Sequence, residues 1–200
     1  MDIPLRMAQN RTDRRRRESP AGVFRQGVST SDDPSILANA ANALAYFGED
    51  IGAMTALVDR ALVLNQNYAR GWHISGVLRL WAGQPDIAIE HIEAALRLSP
   101  RARIGWSHAD LGAAYFVSRR FAEAVPKLLL AIQNDPSLPL PYRFLAACYA
   151  HMGRLDEARE IVARLRAITP VVIPDASYLR NPEHRELLLS GLRLAAGEAI

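Results

Sequence analysis

From Asp33 onward the chain alternates stretches of apolar residues at three- and four-residue spacing with short breaks rich in Gly, Pro, Asp and Asn, the pattern of amphipathic helices joined by tight turns. The stretch Ala69 to Pro100 shows the unit most fully. Trp72, Ile74, Val77 and Leu78 predict a first helix over about Ala69 to Trp81, which Ala82-Gly83-Gln84-Pro85 breaks. A second helix opens with Pro85 in its first turn and Asp86 beside its positive end, both favourable there. Gly76 and Ala88 are small where the two helices would cross, so the backbones can approach. Pro100 stops the second helix and turns the chain toward the next pair.

The same unit recurs. Gly105 to Pro136 carries Leu111, Gly112, Tyr115, Ala124, Leu128, Ala131 and Pro136, and Pro139 to Pro170 carries Tyr142, Leu145, Ala146, Tyr149 and Ala158 around a turn-forming HMGRLDEA. Ser35 to Gln66 is a weaker copy: its ALVLNQ matches ALRLSP, but Ala38, Asn42, Ala45 and Met54 stand at the more diagnostic positions. Gly76 and Gly112 are 36 positions apart, whereas Pro136 and Pro170 are 34 apart; the extra residues, Arg101 to Ile104, belong in a turn. Four helix pairs that cannot bury their apolar faces singly must stack. The expected fold is therefore an all-α solenoid over 33–200, with units at about 35–66, 69–100, 105–136 and 139–170. It should begin at an Asp33 cap followed by Pro34. Val171-Val172-Ile173-Pro174 is expected to lie over the end of the stack. Asn181-Pro182-Glu183 then starts a capping helix over about 182–196, burying Leu187, Leu188, Leu192 and Ala195 and turning Arg185, Glu186, Arg193 and Glu198 to water.

Counting Ala69 as position 1, Trp72, Gly76, Ala88, Ala95 and Pro100 fall at positions 4, 8, 20, 27 and 32, and in these the segment resembles the tetratricopeptide repeat. The resemblance implies a concave groove lined by first helices through positions 2, 5, 9 and 12. Those are Ile36, Asn39, Ala43 and Tyr46; Arg70, His73, Val77 and Leu80; Trp106, Ala109, Ala113 and Phe116; and Leu140, Arg143, Ala147 and Ala150. Such a groove is mainly apolar, with polar points at Asn39, Arg70, His73 and Arg143. Aromatic residues at helical spacing also pack as core, so Tyr46, Trp106 and Phe116 either face a ligand or fill the space between helices. With Ala43, Val77, Ala113 and Ala147 at position 9, the chain lacks the donors with which chaperone-binding members of the family hold a terminal carboxylate. It is expected to bind an acidic chaperone tail poorly.

The strings GVLRLWAGQPDIAIEHIEAALRLSPRAR, PLPYRFLAACYAHMGRLDEAR and RNPEHRELLLSGLRLAAGE also resemble the C-terminal repeat region of bacterial class III adenylate cyclases, a similarity covering about Asp33 to Glu198. This implies association with a cyclase domain in trans or in a longer chain. The catalytic aspartate pair on a ferredoxin-like sheet that such enzymes need has no counterpart before Asp33.

Half of the 200 residues are apolar, enough to bury a core, and no uninterrupted apolar run approaches the roughly 18 residues of a membrane helix. No secretory signal is evident, and the single cysteine, Cys148, has no internal disulfide partner; a cytoplasmic location is expected. The net charge of +3 reflects a basic segment, 1–32, with Arg14 to Arg17 at its centre. Few apolar residues and no sustained period there predict a disordered lead-in. The alternative, a nucleic-acid or membrane-surface patch, lacks interleaved aromatic residues for base stacking, so nucleic acid is not the expected partner.

No catalytic constellation is visible, and no cofactor or metal is expected. His73, His91, His108, His151 and His184 show no i, i+4 pair for zinc; the glycines lack a P-loop GK[ST], and the serines a GxSxG setting. Cys148 fits a small core residue. The functional expectation is a non-catalytic interaction module docking a peptide or helix of a signalling partner, with a regulatory cyclase segment as the alternative and self-association left open.

Overall fold

The computed structural model describes residues 31–48, 50–101 and 104–198; the lead-in 1–30, Arg14 to Arg17 included, lies outside the described residues. Nine α-helices and no strand occur among them: α1 Pro34–Tyr46, α2 Ile51–Leu64, α3 Ala69–Trp81, α4 Pro85–Leu98, α5 Ile104–Val117, α6 Phe121–Asn134, α7 Pro139–His151, α8 Leu155–Arg166 and α9 Pro182–Ala196. Each starts where the local chemistry allows. Asp33 Oδ1 accepts from the amides of Ser35 and Ile36 at 2.7 and 3.4 Å with Pro34 at the first helical position, and Asn181 Oδ1 does the same for Glu183 and His184 at 2.8 and 3.4 Å ahead of α9. Gly197, at φ +80°, ends α9, and the Glu198 amide returns to the Arg193 carbonyl at 2.9 Å, the closure a left-handed residue permits.

The helices pair as α1/α2, α3/α4, α5/α6 and α7/α8, and each second helix also packs on the first helix that follows. The first helices α1, α3, α5 and α7 touch in sequence, forming the inner layer of a stacked row. Within a pair the approach depends on a missing or minimal side chain. A Cβ at Gly76 would lie 2.5 Å from Ile92 Cγ1 and 3.0 Å from the Ala88 carbonyl oxygen, and one at Gly112 would lie 2.6 Å from Leu128 Cγ and Cδ2. Ala146 fills the same place in the last pair, and Ala88, Ala124 and Ala158 on the second helices are wholly buried.

The turns repeat as closely as the crossings. Gly83, Arg119 and Gly153 all take positive φ, and the next amide returns five residues each time: Gln84 to Arg79, Arg120 to Tyr115 and Arg154 to Tyr149, at 2.8 to 2.9 Å. Arg119 holds the left-handed conformation, φ 58°, that its neighbours assign to glycine, a strained choice for a residue with a Cβ. The arginine after it stacks on the tyrosine, Arg120 over Tyr115 at 4.6 Å and Arg154 over Tyr149 at 4.3 Å, while pairing with Glu123 or Glu157. The aromatic residue at position 4 is used just as consistently. Trp72 Nε1 donates to the Gln66 carbonyl at 2.8 Å and the Tyr142 hydroxyl to the Pro136 carbonyl at 3.1 Å, tying each helix to the connector before it.

Two features differ from the sequence reading. The extra residues between the second and third pairs are shared between the connector and α5, which begins at Ile104 and so holds one residue more ahead of Gly112 than α3 holds ahead of Gly76. More consequentially, the chain after α8 does not stop at the end of the stack. It runs back across the inner layer from the fourth pair to the first two before α9 begins.

Gly112→Leu is expected to lower the unfolding free energy by roughly 1 to 3 kcal/mol, the usual cost of overpacking a close crossing. Urea denaturation of the purified chain checks this; an unchanged midpoint would mean that α5 and α6 do not cross at Gly112.

Candidate functional site

The inner face of a stacked row of helix pairs is concave, and its walls are the side chains that α1, α3, α5 and α7 turn away from their partners. At the entrance to these helices the face is open and polar. Arg70 Nε donates to Asn39 Oδ1 at 2.9 Å, joining the first two pairs, and His73 Nε2 lies 2.9 Å from Asp110 Oδ2, joining the second to the third. Trp106 stands beside this row with 43% of its surface exposed. A cleft of about 320 Å³ opens between the start of α3, the end of α4 and the start of α5, lined by Tyr68, Arg70, His73, Ala95, Ser99 and Ser107. Asp110 was not among the residues read from the sequence. It is the lone acidic residue of α5 and is buried, and that pairing of burial with charge was the available signal.

Toward the other end of the same helices the face is covered. Val77, Leu80, Ala109, Ala113, Phe116, Ala147 and Ala150 are all buried, so an open apolar groove running the length of the array, as the repeat positions imply, is not what the chain presents. The segment 171–181 and α9 occupy that space. Arg143, on α7, donates through Nη2 to the Val171 carbonyl at 2.7 Å and through Nε to that of Val172 at 3.3 Å. Tyr178 packs on Trp81 with centroids 5.8 Å apart, and Tyr46, 66% exposed, meets the same indole edge-on at 4.8 Å. Burial raises the Tyr178 phenol above its ordinary range, opposed by Arg143. Arg180 completes the crossing: its amide donates to the Trp81 carbonyl at 2.8 Å and its Nη2 to that of Ala45 at 2.9 Å, capping the ends of α3 and α1. From there α9 returns along the row and packs on α7 and α8, with Gly191 against Ala147 and His151 Nε2 donating to the Leu187 carbonyl at 2.7 Å. Val171 to Pro174 therefore lie against the inner helix of the last pair, because Arg143 offers two donors to otherwise unpaired carbonyls.

The three aromatic residues separate accordingly. Phe116 is core, wholly buried against Phe121, Phe144 and His151 at centroid distances of 5.3 to 5.9 Å. Trp106 is exposed, and Tyr46 lies at the edge of this strap of residues 171–181, sharing the Trp81 ring with Tyr178. Leu140 is half-buried and Asn39 and Ala43 are exposed.

Among the described residues no group of three His, Cys, Asp or Glu side chains could hold a metal ion, and no helix is long and apolar enough to cross a membrane. Cys148 is buried, and burial pushes its thiol up to about 12, so it stays protonated and unreactive. His91 lies 3.0 Å from Ser75 Oγ and edge-on to Trp72. Arg79 already donates to that hydroxyl at 2.8 Å while pairing with Asp59, which leaves the Ser75 proton for a neutral His91 ring.

Fold and site together define the class of protein: an all-α, tetratricopeptide-type solenoid whose concave face is half open and half filled by its own C-terminal segment. The tetratricopeptide repeat model matches residues 116–181. Solved structures share the architecture. YrrB, described as a TPR protein with an unusual peptide-binding site, is 23% identical, with 87% of this chain and 91% of that one covered at a TM-score of 0.58. MamA from Desulfovibrio magneticus RS-1 gives 21% identity, 84% and 96% coverage and a TM-score of 0.65. Cut9, in an APC/C hetero-tetramer with Hcn1, gives 17% identity, 81% and 30% coverage and 0.66. At these identities the likeness concerns the fold. No curated protein matches the chain.

Burial separates the two aromatic residues of α5 by experiment. Phe116→Ala should cost about 3 to 5 kcal/mol of stability, as for other buried aromatics, and Trp106→Ala less than about 1 kcal/mol; equal losses on denaturant titration would place Trp106 in the core. Burial, chiefly, also lowers the proton affinity of His91, His108 and His184 below the ordinary value of 6.5, helped by Arg79, Lys127 and Arg119 respectively, and Nδ1 of His108 and of His184 is buried without a partner. The unfolded chain therefore takes up protons first, and stability should fall as pH drops through 6.5. A melting temperature at pH 5.5 no lower than at pH 7.5 would contradict this.

Proposed function

We propose that this chain is a non-catalytic docking module that holds an extended peptide of a partner protein against its concave face, entering at the open cleft. The observation that carries the reading is the way the face treats the one segment already in it: Arg143 takes the backbone carbonyls of Val171 and Val172 and Trp81 takes the ring of Tyr178, a mode that reads any extended segment of suitable side chains. The open end supplies the same kinds of group. Arg70 and His73 line a cleft of about 320 Å³, of a size to take one or two side chains, His73 held from behind by the buried Asp110, and Trp106 has an exposed ring. The peptide-binding site attributed to YrrB supports the class of ligand. Of the groove residues expected from the repeat positions, Asn39, Arg70, His73 and Trp106 form this entry, with Tyr46 at its far edge and Leu140 and Arg143 toward the last pair. Val77, Leu80, Ala109, Ala113, Phe116 and Ala147 support it from beneath.

A phage-displayed random peptide library panned on the immobilised chain tests this. Enriched peptides should lose at least about tenfold in affinity, roughly 1.4 kcal/mol, with Arg70→Ala and with Trp106→Ala while the far-UV circular dichroism is unchanged; peptides indifferent to both substitutions would overturn the proposal. The strings shared with cyclase repeat regions favour a second reading, in which the docked partner is a nucleotide cyclase domain. A class III catalytic domain whose output ignores added chain rejects it.

A further inference from the structure

The cleft between α3, α4 and α5 is lined by groups that lack partners within the fold. Ser107 lines it and is 4% exposed, yet its hydroxyl makes no hydrogen bond among the described residues, an arrangement that is costly unless a ligand or water completes it. Arg70 gives Nε to Asn39 Oδ1 at 2.9 Å and has no carboxylate within ion-pairing distance among the described residues, which leaves the terminal nitrogens of its guanidinium for another acceptor. Tyr68 precedes α3 without a side-chain cap, so the first amides of that helix, at its positive end, stand open beside the cleft. Ser99, at the end of α4, adds a second hydroxyl.

Charge along the chain runs the same way. The stretches that bound the cleft, 65–75 and 94–109, contain Arg70, Arg97, Arg101 and Arg103 and no Asp or Glu. Arg97 and Arg101 are exposed and form no ion pair among the described residues. The acidic residues Asp59, Glu93 and Asp110, which flank these stretches, are engaged by Arg79 at 2.9 Å, the Tyr115 hydroxyl at 3.3 Å and His73 Nε2 at 2.9 Å.

We propose that the cleft is an anion subsite for a phosphorylated side chain of the docked peptide. A phosphomonoester brings three terminal oxygens and close to two negative charges, where a carboxylate brings two oxygens and one charge, and a guanidinium fork, hydroxyls and open helix amides are the donors that hold such a group. Arg70 and Ser107 bind it directly, with Arg97 and Arg101 supplying positive charge at the rim. The subsite makes no use of position 9, where Ala43, Val77, Ala113 and Ala147 offer no donor. It rests on the docking reading and adds the chemistry of the group that is seated.

The test titrates three small probes into the full chain at pH 7.5, followed by the NMR amide shifts of Gly71 and Ser107: the N-acetyl amide of O-phosphoserine, the N-acetyl amide of aspartate, and dimethyl phosphate as a diester. The phosphoserine probe should bind at least about tenfold tighter than either of the others. Arg70→Gln should weaken it at least about tenfold and Ser107→Ala about threefold or more, both with unchanged far-UV circular dichroism, while Arg154→Gln, on the outer side of the last pair, leaves it unaltered. Equal binding of the aspartate probe or of the diester, or phosphoserine binding indifferent to Arg70→Gln and Ser107→Ala, would overturn the proposal. Phosphoserine binding at the cleft of a chain that enriches no library peptide would reject docking and keep the subsite; Arg70-dependent peptides on a chain that ignores the phosphoserine probe would keep docking and reject the subsite.

Discussion

The architecture depends on two helices being able to cross where one of them has almost no side chain. At Gly76 and Gly112 the facing Ile92 and Leu128 occupy the volume a Cβ would need, and a wholly buried Ala146 stands at the corresponding place in the last pair. Close crossing brings Ala88, Ala124 and Ala158 against the first helix and sets the tilt of each pair. The left-handed residue at the turn and the position-4 aromatic bonded to the preceding connector then fix how one pair follows the next. Repetition of these few contacts, not any single strong one, curves the row and produces a concave face.

That is also why the array was legible in the sequence. Helix crossings, turns and connectors are made by residues within about 34 positions of each other, so each leaves a mark at a fixed offset, and the helices from Pro34 to Arg166 follow the apolar spacing and the Pro/Gly breaks, except that α5 takes Ile104 from the expected turn. The strap left no such mark. Arg143 and Arg180 bind backbone carbonyls, which every sequence possesses, and their partners lie dozens of residues away. Val171 to Pro174 read only as an apolar connector because nothing local says that Arg143 waits for its carbonyls. Arg119 escaped for the opposite reason: its conformation is dictated by its place in the turn, and its identity argues against it.

Polar groups on the inner face divide by how they are satisfied. Asn39 with Arg70 and His73 with Asp110 join adjacent pairs, so they brace the curvature while Arg70 and His73 line the cleft. Ser75, Arg79, Asp59 and His91 form a network between the first two pairs, behind the face, where burial keeps the histidine neutral. Arg143 differs from both sets: among the described residues it bonds to main chain, the carbonyls of Val171 and Val172. The same face thus joins side chain to side chain between adjacent pairs and side chain to main chain where the segment 171–181 crosses the last pair.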